Sequence, residues 1–204
     1  MNFTARLLEY TLVYRTWQAP FVEEKFRPVL AHNNLANVHR VLDVGCGPGT
    51  NTRHFAHADY IGIDMNERYI RHARARHRRN FVAADVCTYR VGPNERFDFI
   101  LLNSFLHHLA DSDVINVLSH VRTLLSEDGH VHILELVMPQ EPSIARRLAL
   151  WDRGKFARPL EEWEKIWGSL FDPVVMEPYA VGGWGATLWN MLYFKGTAGH
   201  RKLS

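Results

Sequence analysis

Short apolar runs alternate with helical segments along most of the chain. Runs rich in aliphatic, β-branched and aromatic residues predict strands over residues 41–45, 60–64, 80–84, 97–103 and 129–137. These runs are apolar at nearly every position, which is typical of parallel strands that are covered on both faces. Strand, helix and strand in repetition imply right-handed crossovers, so the pattern predicts an α/β fold with a doubly wound, mostly parallel sheet and helices on both faces.

The remaining segments add further helices and a closing strand pair. The clearest helix covers residues 111–126, whose apolar positions fall on one face at a period of 3.6 residues. Asp111 or Ser112 is expected to cap its start, and Gly129 follows its end. Other helices are predicted within 3–35 and over 141–153 and 159–170, and strands over 171–181 and 186–195 are joined hairpin-like by the glycine-rich segment 182–185.

The composition excludes several classes of protein. The 204 residues suffice for one domain, and no repeat or linker divides them. Lys plus Arg is 24 and Asp plus Glu is 22, a near balance that argues against a dedicated nucleic-acid binder. No apolar run reaches the roughly 18–20 residues of a membrane span, the first residues lack the apolar centre of a secretory signal, and Cys46 and Cys87 are too few for a disulfide scaffold or a zinc site. We therefore expect a soluble, reduced, cytoplasmic protein without a metal site.

The segment VLDVGCGPGT at residues 41–50 is the most informative motif. A strand ends in glycines and a helix is expected to follow, so a ligand can approach the backbone at the carboxyl edge of the sheet. The glycines are Gly45, Gly47 and Gly49, whereas the dinucleotide fingerprint requires glycine at the position of Thr50. The loop therefore favours a ligand other than a dinucleotide.

An aspartate lies at or near the end of each of the first three predicted strands. Asp64 closes the second strand, where a carboxylate can accept hydrogen bonds from both hydroxyls of a ribose, and Asp43 and Asp85 lie on the neighbouring strands. This acidic rim repels a pyrophosphate and attracts a cationic nucleoside. Asp43 also has a structural interpretation, in which it fixes the loop by binding backbone amides.

With these residues the sequence resembles the class I S-adenosylmethionine-dependent methyltransferases, within them the small-molecule group that carries a Leu-His-His-Leu-type segment. The resemblance covers residues 38–137 in detail and the last two strands in outline. It is carried, in the family's order and spacing, by VLDVGCGPGT, IGIDMN, FVAADV, FDFILLNSFLHHL and LLSEDGHVHILEL. It implies a Rossmann-like, seven-stranded sheet with a C-terminal antiparallel hairpin, and S-adenosylmethionine as cofactor with S-adenosylhomocysteine as product.

The resemblance also implies a set of cofactor-binding positions. The glycine loop is expected to hold the methionine portion, Asp64 the ribose, and Asp85 the adenine amino group. Met65 is expected to pack on the adenine, although a methionine there could also be core filler. The full set is Asp43, Gly45, Cys46, Gly47, Asp64, Met65, Asp85, Val86 and Asn103.

The chain outside the cofactor-binding core is expected to surround the acceptor. The resemblance implies an N-terminal helical lid over 1–37, a cofactor-binding core over 38–137, a helical insertion on the substrate side over 138–170, and a final strand pair over 171–195. Aromatic and cationic residues suit a planar or anionic acceptor, and the candidates are Tyr14, Trp17, Trp151 and Arg153. The same regions hold Arg158, and also Trp163 and Trp167, for which helical spacing favours a place in the core.

Two further groups of residues have more than one interpretation. His107 and His108 follow the fourth strand, where a histidine can act as a general base or can serve packing alone. A basic run over residues 68–79 holds six arginines that are expected to form a solvated helix face, and RNA binding there is the alternative.

The sequence thus predicts an S-adenosylmethionine-dependent methyltransferase that acts on a small organic acceptor by in-line transfer. The alternatives are an RNA or protein methyltransferase, a cofactor-binding protein without turnover, and a dinucleotide oxidoreductase, which Thr50 and the acidic rim disfavour. The sequence leaves open whether the acceptor atom is oxygen, nitrogen, carbon or sulfur, and whether the protein is a monomer or a homodimer.

Overall fold

The strands among the described residues form one seven-stranded sheet. The computed structural model describes residues 21–92, 95–151, 156–183 and 186–199. The strands are β1 (Arg40–Val44), β2 (Asp59–Asp64), β3 (Asn80–Ala83), β4 (Phe97–Asn103), β5 (Leu125–Leu136), β6 (Asp172–Gly183) and β7 (Ala186–Thr197). Their order across the sheet is β3-β2-β1-β4-β5-β7-β6.

The pairing confirms a doubly wound sheet that ends in antiparallel strands. The four pairs among β1 to β5 are all parallel, while β7 runs antiparallel to both β5 and β6. The strand order reverses between β1 and β4, and ligands of such sheets bind where the order reverses, outside the carboxyl ends of the strands. The glycine loop after β1 and the turn after β4 therefore meet at the expected binding edge.

Helices cover both faces of the sheet, as predicted. They are α1 (Val22–His32), α2 (Glu67–Arg76), α3 (Asp111–Leu124), α4 (Ile144–Trp151) and α5 (Leu160–Leu170). On β1, Val41 packs with α1 and α2 in one core, whereas its neighbour Leu42 packs with α3 and α5 in the other. The second core includes Trp163 and Trp167, both fully buried and stacked at 5.1 Å, which confirms that they seal the core.

Two of the expected crossover helices are replaced by shorter structure. After the glycine loop the chain forms only a 3₁₀ helix, Thr50–His54, and the described residues between β3 and β4 contain turns but no helix. The second crossover spans few residues and includes Gly92 and Pro93, both of which oppose helix formation. The prediction of a helix in each of the four crossovers was therefore wrong for these two.

The expected cap of α3 is also wrong. The N-cap position is Ala110, which offers no side-chain acceptor, and Asp111 is the first helical residue. The Asp111 carboxylate instead accepts hydrogen bonds from Nε and Nη2 of Arg158, at 2.8 and 2.5 Å. Arg158 is almost fully buried and lies over the Trp163 ring, so it clamps the segment after β5 to the start of α3 and does not line an open pocket.

The basic run over residues 68–79 is only partly the solvated face that its pattern predicts. Arg74 donates through Nε and Nη2 to the carbonyl of Phe81. Arg79 donates to the carbonyls of Phe55, Ala56 and Ala58. Both guanidinium groups therefore satisfy carbonyl oxygens at loop and strand ends, a role that the helical wheel does not show.

Candidate active site

The glycine loop is a tight turn that leaves room beside its backbone. Gly45, Gly47 and Gly49 all have positive φ, at 69°, 53° and 81°, which L side chains rarely adopt. The amides of Gly45 and Cys46 both donate to the carbonyl of Ile63, at 2.8 and 3.0 Å, so the loop is anchored to the end of β2. A Cβ at Gly47 would meet no atom within 4 Å. Space for a ligand therefore borders the loop at this residue.

Asp64 lies against this loop from the end of β2. Its Oδ2 accepts from the amide of Gly47 at 2.9 Å, and its Oδ1 accepts from the amide of Asn66 at 2.8 Å. Each carboxylate oxygen has a second lone pair that can accept from a ligand. The structure thus brings together the loop and the carboxylate that the sequence identified separately.

A buried hydrogen-bond network lies beneath the loop and is centred on Asp43. Its Oδ2 accepts from the Tyr60 hydroxyl at 2.5 Å and from the Asn51 side chain at 3.1 Å. The Asn51 side chain in turn accepts from Asn103 at 3.3 Å, which links β1 to the end of β4. Among the described residues the other oxygen, Oδ1, is buried without a hydrogen-bond partner. Asp43 therefore accepts hydrogen bonds from side chains, whereas its structural interpretation expected it to bind backbone amides of the loop.

Burial controls the protonation of Asp43. It raises the pKa of this carboxyl to about 6, although the hydrogen bonds from Tyr60 and Asn51 act in the opposite direction, and the charge of Asp64 adds to the rise. Burial also raises the pKa of the neighbouring Cys46 thiol. Cys46 is therefore a buried thiol with little tendency to ionise.

The predicted adenine-side residues follow β2 and β3. The Met65 side chain is 74% exposed, so the interpretation of Met65 as core filler was wrong, and its predicted contact with the adenine stays a prediction. Asp85 accepts through Oδ1 from the amide of Cys87 at 2.9 Å, and Val86 is buried. These residues lie on the side of β1 opposite to β4, as the strand order requires.

The turn after β4 carries the two candidate catalytic histidines. Asn103 ends the strand, and Ser104 has a φ of 54°, the one positive value of a non-glycine residue in the described chain. Leu106–His108 form a short 3₁₀ helix. His107 is buried, whereas His108 is exposed, and their ring centroids lie 4.2 Å apart. In this arrangement His108, and not His107, is open to solvent.

The sequence reasoning missed the residue that holds this turn, Glu135 of β5. Its fully buried carboxylate accepts from Nδ1 of His107 and, at 2.6 Å, from the amide of Leu106. Burial alone raises the pKa of Glu135, but the adjacent imidazole and the amide donors outweigh it, so the net shift is downward. One signal was present in the sequence: a lone acidic residue within the apolar run 131–137 needs a buried partner.

The predicted acceptor residues are only partly within the described chain. Tyr14, Trp17 and Arg153 lie outside the described residues. Trp151 ends α4 with a side chain that is 89% exposed. Just beyond, the amide of Phe156 donates to the carbonyl of His107 at 3.1 Å, so the segment after β5 contacts the histidine turn.

No helix among the described residues is both long enough and apolar enough to cross a membrane. Within the same residues no three His, Cys, Asp or Glu side chains are grouped so that they could hold a metal ion. The absence of a metal from the mechanism stays a prediction.

The sequence of this chain is similar to those of known methyltransferases. The model of the methyltransferase domain family matches residues 41–129, from the start of β1 into β5. A trans-aconitate 2-methyltransferase from Escherichia fergusonii is 33% identical over 145 residues, which cover 65% of this chain and 55% of that protein. The corresponding protein from Shigella dysenteriae serotype 1 is 32% identical over the same length. The chain thus spans about half the length of the curated relatives that it matches.

Solved structures share the fold over most of the chain. The plantazolicin methyltransferase BpumL in complex with S-adenosylhomocysteine superimposes with a TM-score of 0.69 at 18% identity, covering 94% of this chain and 90% of that one. The mitomycin 7-O-methyltransferase MmcR gives 0.66 at 15% identity, covering 85% and 53%. At these identities the likeness establishes the fold alone, a Rossmann-like sheet.

Proposed function

Since the chain carries a class I, S-adenosylmethionine-dependent methyltransferase domain, we propose that it transfers a methyl group from this cofactor to a small organic acceptor. The observation that carries the proposal is the contact between Asp64 and Gly47. A carboxylate at the end of β2 accepts from the amide of a positive-φ glycine, and open space borders that glycine.

The residues at this edge fit the cofactor. Its ribose hydroxyls are donors for Asp64, and its α-ammonium and sulfonium groups are cations, which suit the carboxylates of Asp64 and Asp85 at this edge. When bound, S-adenosylmethionine supplies an electrophilic methyl group on sulfur. The chain's own residues orient the acceptor and exclude water, which is most of what such a displacement needs from a protein.

The relatives suggest the first acceptors to test. The names of the trans-aconitate 2-methyltransferases designate a tricarboxylate as their acceptor. An ionised carboxylate oxygen already presents its lone pair at neutral pH, so it needs no base. A hydroxyl acceptor does need one, and the exposed His108 is our candidate. Replacing His108 by alanine therefore separates these acceptor classes: turnover of a carboxylate persists, and turnover of a hydroxyl falls.

The test of the cofactor is calorimetric titration of the purified protein. We expect micromolar binding of S-adenosylhomocysteine and no binding of NAD at moderate salt. Gly47→Val is the matched variant: its side chain meets open space, so the fold is kept, but it fills the ligand's place and is strained at φ 53°. We expect this variant to lose binding while it still folds, with a melting temperature that the backbone strain lowers. Binding of NAD, or of neither ligand, would overturn the proposal.

A screen of acceptors follows. We expect methyl transfer from radiolabelled S-adenosylmethionine to at least one carboxylate or hydroxyl compound of low molecular mass, with Tyr14, Trp17, Trp151 and Arg153 as the residues to vary. Binding of the cofactor with no transfer to any small molecule would favour the alternative of a cofactor-binding protein without turnover.

A further inference from the structure

We propose that Glu135 is a positioning residue of the methyl-transfer site: by holding the turn Ser104–His108, it sets how that turn lies against the glycine loop. The inference rests on the proposed function. It assigns a role in ligand binding to a residue of β5 whose hydrogen bonds go to the turn after β4 and to Leu136.

The contacts of Glu135 are unusually numerous for one side chain. Oε2 accepts from the amides of Phe105, Leu106 and His107, at 3.3, 2.6 and 3.3 Å. Oε1 accepts from the imidazole Nδ1 of His107 and from the amide of Leu136, the latter at 3.1 Å. A fully buried carboxylate is costly unless such donors surround it, so packing alone does not explain a glutamate at this position. The carboxylate determines the path of the turn.

The turn so fixed includes a strained residue and touches the cofactor loop. Ser104 has a left-handed φ without being a glycine, a conformation that persists only where its surroundings enforce it. The next residue, Phe105, lies against Gly45: a Cβ added at that glycine would be 3.0 to 3.2 Å from atoms of the Phe105 side chain. Glu135, Phe105 and Gly45 therefore form a continuous path from β5 to the glycine loop.

The same carboxylate determines the hydrogen-bonding state of His107. An ionised carboxylate only accepts, so Nδ1 of His107 must carry a proton. The ring of exposed His108 lies beside this fixed imidazole, with 4.2 Å between centroids. Glu135 thus places the residue proposed as base without touching it.

The experiment compares Glu135→Gln with a matched variant on the same strand, His132→Gln. His132 is also buried and polar, its Nδ1 makes a hydrogen bond of 2.9 Å with the Tyr193 hydroxyl, and its ring stacks on Phe99 and Tyr193. The side-chain amide of Glu135→Gln keeps an acceptor but places donors against the turn's own amides. Both variants are expected to lower the midpoint of urea unfolding. Only Glu135→Gln is expected to weaken binding of S-adenosylhomocysteine, by about tenfold, measured by calorimetry.

A spectroscopic signature separates positioning from stability. With ¹⁵N-labelled histidine, titration of the wild type with S-adenosylhomocysteine is expected to shift the Nδ1 resonance of His107, because ligand and imidazole are coupled through Phe105 and the turn. In Glu135→Gln this ligand-induced shift is expected to disappear, and in His132→Gln to persist. Glu135→Asp, which keeps the charge on a shorter side chain, is expected to recover part of the affinity.

Each outcome bears on one claim. Wild-type affinity in folded Glu135→Gln, or equal weakening by His132→Gln, overturns the positioning role. If Glu135→Gln does not fold, Phe105→Leu tests the same path at its contact with Gly45: weakened binding supports the role and unchanged binding overturns it. A wild type that binds no S-adenosylhomocysteine overturns the proposed function itself, which is a different and separately visible result.

Discussion

At the scale of single residues, Asp64 has the largest expected effect on ligand binding. Its two oxygens already hold the amides of Gly47 and Asn66, so the carboxylate shapes the loop, and in the proposed function it also accepts from the ribose. Charge-assisted hydrogen bonds contribute about 1.5–3 kcal/mol each. Asp64→Ala is therefore expected to weaken binding of S-adenosylhomocysteine at least tenfold in a calorimetric titration.

The control for this prediction is Asp59→Asn. Asp59 begins the same strand at the opposite edge of the sheet, where its carboxylate is exposed and pairs with Arg40. We expect this variant to bind as the wild type does. Unchanged affinity in Asp64→Ala would mean that the ribose binds elsewhere.

Asp43 gives a prediction about pH. Its pKa is about 6 in the folded protein against 3.8 for the ordinary group, so between these values the folded state holds a proton that the unfolded state has lost. The associated stability is present below about pH 4 and is lost as pH rises through about 6. The shift corresponds to a free energy on the order of 3 kcal/mol.

Asp43→Asn tests this prediction because its amide is never charged. We measure the free energy of unfolding of both proteins in urea as a function of pH. Relative to Asp43→Asn, the wild type is expected to lose stability as the pH rises from 4 to 6.5, and to be less stable at pH 7.5 than at pH 4 by that difference. Parallel pH profiles would contradict the buried, proton-binding carboxyl.

How far sequence predicted these residues depends on how local their contacts are. Asp64 and the glycines lie in contiguous motifs at strand ends, and the structure brings them together as expected. Glu135 and His107 are 28 residues apart and meet only because β4 and β5 are neighbours. Asp43 was identified, but its partner Tyr60 was assigned to a strand alone, because pairing of two side chains across β1 and β2 requires the register.

At the scale of elements, continuous apolar runs predicted the strands well because parallel strands are covered on both sides. Bounds such as Phe97–Asn103 agree to the residue. The crossover after β3 was harder, since its turns are stabilised by local bonds such as that from Thr88 to the carbonyl of Asp85, which leave no periodicity. The predicted cap of α3 was wrong for a related reason: the Asp111 carboxylate binds Arg158, which is 47 residues away in the sequence.

Arg158 allows a prediction about how the insertion after β5 is held. Its guanidinium binds Asp111 and the carbonyls of Leu109 and Phe156, and it lies 4.7 Å from the Trp163 ring centroid. Arg158→Ala loses all of these contacts, so we expect the free energy of unfolding to fall by about 2–4 kcal/mol. Arg158→Lys keeps the positive charge but not the planar guanidinium, so we expect its free energy of unfolding to fall by a smaller amount.

The measurement is urea unfolding followed by tryptophan fluorescence, with Arg147→Ala as control. Arg147 is exposed on α4, and we expect its removal to change stability by no more than about 0.5 kcal/mol. If Arg158→Ala lowers the free energy of unfolding by less than about 1 kcal/mol, the contacts of Arg158 are dispensable for stability.

At the scale of the whole molecule, positive charge is distributed unevenly although the formal net charge is only +2. The run 68–79 holds six arginines, and the described ion pairs involve none of them. Part of the run, with Asp59, Tyr60 and Asn80, lines an open cleft of about 530 Å³ where β2 and β3 begin. Asp64 lies at the other end of β2. His77, however, lines the cleft and also lies close to Gly49, so the cleft extends to the far side of the glycine loop.

The exposed arginines of the run 68–79 allow the RNA-methyltransferase alternative to be tested apart from the proposed function. Arg74 and Arg79 hold carbonyls, which leaves Arg68, Arg71, Arg76 and Arg78 as exposed charges for a polyanion. Four phosphate contacts on single-stranded RNA give a slope of log K against log salt near −3. We expect weak RNA binding with a slope no steeper than this.

Replacing Arg71, Arg76 and Arg78 by glutamate is expected to abolish this RNA binding, as measured by fluorescence anisotropy. The same variant is expected to leave the affinity for S-adenosylhomocysteine unchanged, as measured by calorimetry. A steeper slope, together with RNA affinity that rises when S-adenosylhomocysteine is present, would instead make RNA the acceptor, because only contacts that extend to the carboxyl edge could produce both.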